Sequence, residues 1–159
     1  MQQAAIAQAW PSTSGTLLQD CAIHHLGDWP LLISEYRRRP DDREFEDYLS
    51  FVIRLLERKQ PFVILIDNHH PDTMGRERGE RMSRWYRANK AGLQAYMPGI
   101  AIVSSDMSPI RRFAASTMMS IMGSMGGMHM QHSFHASLAD GKTWARKLLA
   151  KAPPLSLAR

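Results

Sequence analysis

The stretch that most constrains the fold runs from Pro61 to Arg87. It opens with Phe62-Val63-Ile64-Leu65-Ile66, an apolar run rich in β-branched residues and too short for a helix of its own. Such a run reads as a strand buried on both faces, the central kind found in parallel sheets. A polar loop follows, Asp67-Asn68-His69-His70-Pro71, and then a helical pattern from about Arg76 to Met97. The unit is therefore strand, loop, helix. In open α/β sheets, ligands and partners gather outside the carboxyl ends of such strands. The loop after Ile66 is the first place to look for a working surface.

At 159 residues the chain is long enough to bury a core as one domain. Hydrophobic residues at 44% and charged residues at 22% suit a soluble globular protein. No apolar run approaches the roughly 20 residues needed to span a bilayer. Residues 1–15 lack the basic and apolar regions of a secretory signal. The single cysteine, Cys21, excludes an internal disulfide framework and agrees with a reducing cytoplasm. A net charge of +5 permits an acidic partner without requiring one.

Residues 1–16, rich in Ala, Gln, Ser and Thr, read as a flexible tail, and residues 152–159 as a second one. Between them, residues 17–151 form the expected domain. Leu17 to His25 and Trp29 to Tyr36 are predicted strands, joined closely enough for an antiparallel hairpin. Asp41 with Glu44 has capping-box spacing. Behind it Phe45, Tyr48, Leu49, Val52, Ile53 and Leu56 recur at helical period. The central strand follows, then a helix with Met82, Trp85, Tyr86, Leu93 and Met97 on its inner side. Gly99 to Val103 is a further buried strand. Ser108-Pro109 begins a helix with Ile110, Phe113, Ala114, Thr117, Met118 and Ile121 as its stripe. Met128 to His135 alternates as an exposed or edge strand. Ser137-Leu138-Ala139-Asp140 opens a last helix through Trp144, Leu148 and Leu149. The order β-β-α-β-α-β-α-β-α implies a mixed α/β sheet packed with about four helices.

Three local motifs then bear on family. Asp72-Thr73-Met74-Gly75 follows the central strand, Ser108-Pro109-Ile110-Arg111-Arg112-Phe113 follows the next, and Ser137-Leu138-Ala139-Asp140 precedes a Trp-containing helix. In this order they resemble the STAS domain, the fold of anti-sigma-factor antagonists (SpoIIAA-like proteins), over residues 17–151. The resemblance implies a non-enzymatic, cytoplasmic bacterial module that works by protein–protein contact. It implies a contact surface around Asp67, Asp72, Thr73, Gly75 and Arg76, with Ser108, Arg111 and Arg112. Thr73 stands where classical members are phosphorylated, and a phosphate at a helix N-terminus meets unpaired amides and the positive end of the dipole. Thr73 reads equally as an N-cap, and Met74 replaces the family's second hydroxyl. Divergent members without the switch hydroxyl are matched as well.

A second reading, from a different class, is a copper- or ligand-binding protein using the Met/His-rich segment 118–135. Met128, Met130, His129, His132 and His135 supply thioethers and imidazoles suited to Cu(I). Strand parity puts His132 opposite His129 and His135, so convergence requires a broken strand. Met118 and Met122, one helical turn apart, read equally as core filler. His69-His70 beside Asp67 and Asp72 lacks a nucleophile motif and reads as a polar loop. Arg76, Arg78, Arg81, Arg84 and Arg87 give the long helix a basic flank, joined in composition by Arg37-Arg38-Arg39. No stacking motif accompanies them, so a solvated helix face is favoured over nucleic-acid binding. Homodimerisation is expected, if anywhere, through the first hairpin or the Met-rich edge.

Overall fold

The computed structural model describes residues 22–25, 28–68, 75–108, 110 and 130–152. Among these, the strands β1 (Ala22–His25), β2 (Leu31–Tyr36), β3 (Val63–Asn68), β4 (Gly99–Val103) and β5 (Gln131–His135) form one sheet in sequential order. The described helices are α1 (Asp42–Glu57), α2 (Gly75–Ala88), α3 (Lys90–Tyr96) and α4 (Leu138–Lys151). The antiparallel pairing is confined to β1 and β2, with Ala22 opposite Tyr36 and His25 opposite Ile33. From β2 to β5 every pairing is parallel, so the sheet is chiefly parallel and the expected hairpin is only its margin. Expected tail 1–16, and residues 153–159 of the second, lie outside the described residues, as do Phe113 to Ile121 of the stripe expected after Pro109.

The central apolar run is β3, and it lies third of five strands. Strand side chains alternate between faces, so a strand covered on both sides needs apolar residues at successive positions. Val63, Ile64 and Leu65 are all buried, as is Phe62 before them. Ile64 joins Leu32 and Ile100 on one face, against Phe45, Tyr48, Leu49, Val52, Leu55 and Leu56 of α1, Trp85 of α2 and Leu93 of α3. Val63 and Leu65 join Leu31, Ile33 and Ala101 on the other, against Ala145 and Leu148 of α4. Each crossover from β2 to β4 advances one strand in the same direction. Connections of one hand then deliver their helices to one face, which leaves α4 to close the opposite face.

Local chemistry explains the element ends. The Asp41 carboxylate accepts from the Glu44 amide at 2.8 Å, and the Asp41 amide donates to the Glu44 carboxylate at 2.7 Å. This reciprocal box satisfies two helix-end donors and is worth about 1 kcal/mol. At α4 the Ser137 hydroxyl accepts from the Asp140 amide at 3.2 Å. The single long helix expected over 76–97 is two, because the chain departs from helical geometry at Asn89 (φ −107°, ψ 14°). There the Asn89 side-chain amide donates to the Trp85 carbonyl at 2.9 Å, a bond that a straight helix interior does not need. Two residues expected in buried stripes lie outside them. Ile53 is on the open side of α1, and Ile110 is 82% exposed.

Two glycines differ sharply in what they tolerate. A Cβ at Gly99 would stand 2.6 Å from Leu148 Cδ2, 2.7 Å from the Gln131 carbonyl and 2.8 Å from Trp144. A Cβ at Gly92 would meet only Leu56, at 3.5 Å. Gly99→Ala is therefore expected to lower stability by about 1–3 kcal/mol, since the Gln131 backbone cannot give way without disturbing the β4–β5 ladder. Gly92→Ala is expected to leave stability unchanged or raise it by up to about 1 kcal/mol, because it removes a glycine from a helix interior. Urea denaturation of the two variants beside the parent checks both.

Candidate functional site

The parallel strands all send their carboxyl ends to one edge, and the candidate surface begins there. The register aligns Glu35 of β2, Asp67 of β3, Val103 of β4 and His135 of β5 in one row across the sheet. Asp67 thus stands at the outgoing end of the central strand, half-buried. Gly75 is the first residue of α2, and Arg76 behind it is exposed and paired with Glu80 at 3.1 Å. Ser108 lies beyond β4 at the same edge and is exposed. Asp72, Thr73, Arg111 and Arg112 lie outside the described residues, as do His69 and His70.

The arginines of α2 do not form one uniform basic flank. Arg78 reaches across to Asp42 of α1, with Nη2 at 2.8 Å and Nε at 3.1 Å from the same carboxylate oxygen, and also donates to the Pro40 carbonyl. Its side chain is 12% exposed and its guanidinium lies 5.8 Å from the Phe45 ring centroid. Arg81 grips Glu46 in a two-pronged contact at 2.8 and 2.7 Å. These two arginines fasten α2 to α1. The signal lay in the sequence: acids four apart on one helix, arginines three apart on the other, each pair occupying one helix face. Nothing in either helix alone identified the other as its partner.

Arg84 and Arg87 remain exposed, and they meet no carboxylate among the described residues. With Arg76, Gly79, Glu80 and Ser83 they line an open depression of about 530 Å³ along α2. A second, smaller depression of about 150 Å³ lies between α1 and α2, and Arg84 lines it too. The other basic run is largely neutralised in place. Arg37 pairs with Glu35 at 3.3 Å, and Arg38 meets both oxygens of Glu44, at 3.0 and 3.2 Å.

The described members of the expected metal set, Met130, His132 and His135, do not converge. His132 pairs in register with Ile100, on the face covered by α1 to α3, whereas His135 shares the face of Val103. The His135 ring stands 5.8 Å from Trp144 of α4, on that opposite side. The strand runs unbroken from Gln131 to His135, so its pleat holds the His132 and His135 imidazoles on opposite faces. Met130 is buried in the α1–α3 core instead of facing a metal. Met128 and His129 lie outside the described residues. No group of three or more His, Cys, Asp or Glu residues arranged for a metal exists among the described residues.

Two kinds of titratable group are shifted by burial. Tyr48 and Tyr86, packed under α1 and α2, have their phenols raised, the Tyr86 phenol to about 12. Desolvation is the main cause at both, and Tyr36 and Tyr86 add to it at Tyr48. Both remain neutral and structural at ordinary pH. Burial lowers the His132 imidazole, and a hydrogen bond with the Met130 backbone opposes this to a lesser degree. No described helix is long and apolar enough to cross a membrane.

Two outcomes follow from these contacts. Arg78→Ala removes a half-enclosed cation that serves Asp42 and the Pro40 carbonyl, and is expected to cost about 1–3 kcal/mol in urea denaturation. Arg76→Ala, which loses only an exposed pair within one helix, is expected to stay within about 0.5 kcal/mol. For His132 the unfolded imidazole binds a proton more readily than the folded one. Stability is therefore complete above the unfolded value of about 6.5 and declines as pH falls below it. His132→Leu is expected to flatten that part of the pH profile, measured as denaturation midpoints from pH 8 to pH 5 against the parent. Comparison with protein-family models, with curated proteins and with solved structures finds no match for this chain, so its kinship is not read from relatives.

Proposed function

We propose that the protein is a non-enzymatic, STAS-like regulatory module that binds a protein partner through the surface of α2, the helix that follows the central strand. The observation that supports this reading is the division of labour along α2. One side of the helix is fastened to α1 by Arg78 and Arg81. The other presents a rigidly held, shallow strip containing Arg76, Ser83, Arg84 and Arg87. A strip that is open and shallow suits a protein surface better than a small molecule, which needs an enclosing cavity. On this reading Thr73, two residues before the start of α2, is the switch, and its phosphate would sit at the positive end of the helix. Self-association belongs to the same reading and would use β1 or β5, the two margins of the described sheet.

A steric block tests the surface without altering its charge. Ser83 is exposed on α2, and Ala150 is exposed on α4. In quantitative affinity capture from the native cell, Ser83→Trp is expected to lose a stoichiometric partner that Ala150→Trp retains. The two variants should melt alike, since neither disturbs the core. Retention of every captured protein by Ser83→Trp would exclude α2 as the binding element.

A further inference from the structure

We infer that the strip on α2 recognises an acidic, carboxylate-bearing segment of its partner, with Arg84 and Arg87 as the contacting cations. This rests on α2 being the binding element and adds the chemistry of what it binds. Arg84 and Arg87 are three residues apart, so they project from neighbouring positions on one helix face. Of the acids on or facing α2, Glu77 lines the smaller depression beside Arg84 but meets neither Arg84 nor Arg87, and the others are already engaged. Glu80 is held by Arg76 at 3.1 Å, and the α1 acids Asp42 and Glu46 are held by Arg78 and Arg81. Outside the described residues the chain carries only two further acids, Asp20 and Asp72. With a net charge of +5, the chain carries more cations than carboxylates. Each guanidinium offers a planar fork of donors that matches a carboxylate in two-pronged fashion.

The strip itself suits an extended peptide. Gly79 lies in the depression between Arg76 and Ser83, so a segment can approach the helix backbone there. Ser83 adds a hydroxyl able to donate to a carbonyl or a carboxylate.

Nucleic acid fits the same strip less well. Binding a strand calls for a continuous cationic track with aromatic faces on which bases stack. Here the cations are few and interspersed with Glu77 and Glu80. The neighbouring aromatics do not serve, since Trp85 is 6% exposed and Tyr86 packs against the core.

Fluorescence anisotropy on the full chain tests this. The probe is a short fluorescein-labelled peptide of alternating Glu and Ala, at low salt. The charge reversal R84E/R87E is compared with R146E/K147E, which reverses two exposed cations on α4. Each double variant lowers the net charge by four, from +5 to +1, so the two carry the same total and differ only in location. The parent is expected to bind the peptide. R84E/R87E is expected to weaken binding about tenfold or more, and R146E/K147E by no more than about twofold. No binding by the parent, equal weakening by the two variants, or stronger competition from a single-stranded oligonucleotide of equal charge would overturn the inference. Partner capture lost in Ser83→Trp but kept in R84E/R87E would sink the acidic segment and leave the surface standing. Peptide binding intact beside a Ser83→Trp variant that keeps every partner would sink the surface reading instead.

Discussion

The structure depends on the burial of β3 from both sides. Val63, Ile64 and Leu65 are consecutive, and consecutive strand residues face opposite ways, so each must be covered by a different layer. Full burial of such side chains contributes about 1.5–3 kcal/mol apiece, which no exposed ion pair of this molecule approaches. Two layers of helix are the physical consequence. The amphipathic faces of α1 and α3 and the inner side of α2 close one side, and α4 closes the other. Once β3 is enclosed, its outgoing end at Asp67 and the start of α2 at Gly75 are committed to the same edge of the sheet.

The electrostatics follow from that packing. The arginine charge is not spread evenly, because many of the guanidinium groups are paired. Arg38 closes on the capping acid Glu44, Arg78 and Arg81 join two helices, and Arg58 lies over the Trp29 ring at 4.7 Å. What distinguishes Arg84 and Arg87 is where the helix turns them. They follow Arg81 along α2 on the rim where the α1 acids give out. The surface that emerges is basic in two places on one helix instead of along its length.

Some of the site was legible and some was not. The central strand followed from five apolar residues, but it begins at Val63 and runs on through Asp67 and Asn68, which the polar run had placed in the loop. The capping box at Asp41 and Glu44 followed from residue type and spacing, because capping is a contact within one turn. The split of the long helix at Asn89 was not foreseen, since Trp85, Leu93 and Met97 keep an apolar period across the break. For His132 and His135 the sequence parity already set the two on opposite faces, and the continuous β5 strand keeps them there. Met130 went to the core because its thioether is an adaptable filler at an irregular boundary.

Sequence by itself determined the alternation of strands and helices, the two-sided burial of the central strand and the caps that begin α1 and α4. All of these arise from contacts within a few residues or from the period of one segment. Only the tertiary structure decided that four strands run parallel in sequential order, that among the described helices α4 backs the second face, and which arginines are tied and which are exposed. Those outcomes are set by residues some 35 positions apart, such as Arg81 and Glu46, whose meeting depends on how the layers pack. Local pattern carries no record of that distance.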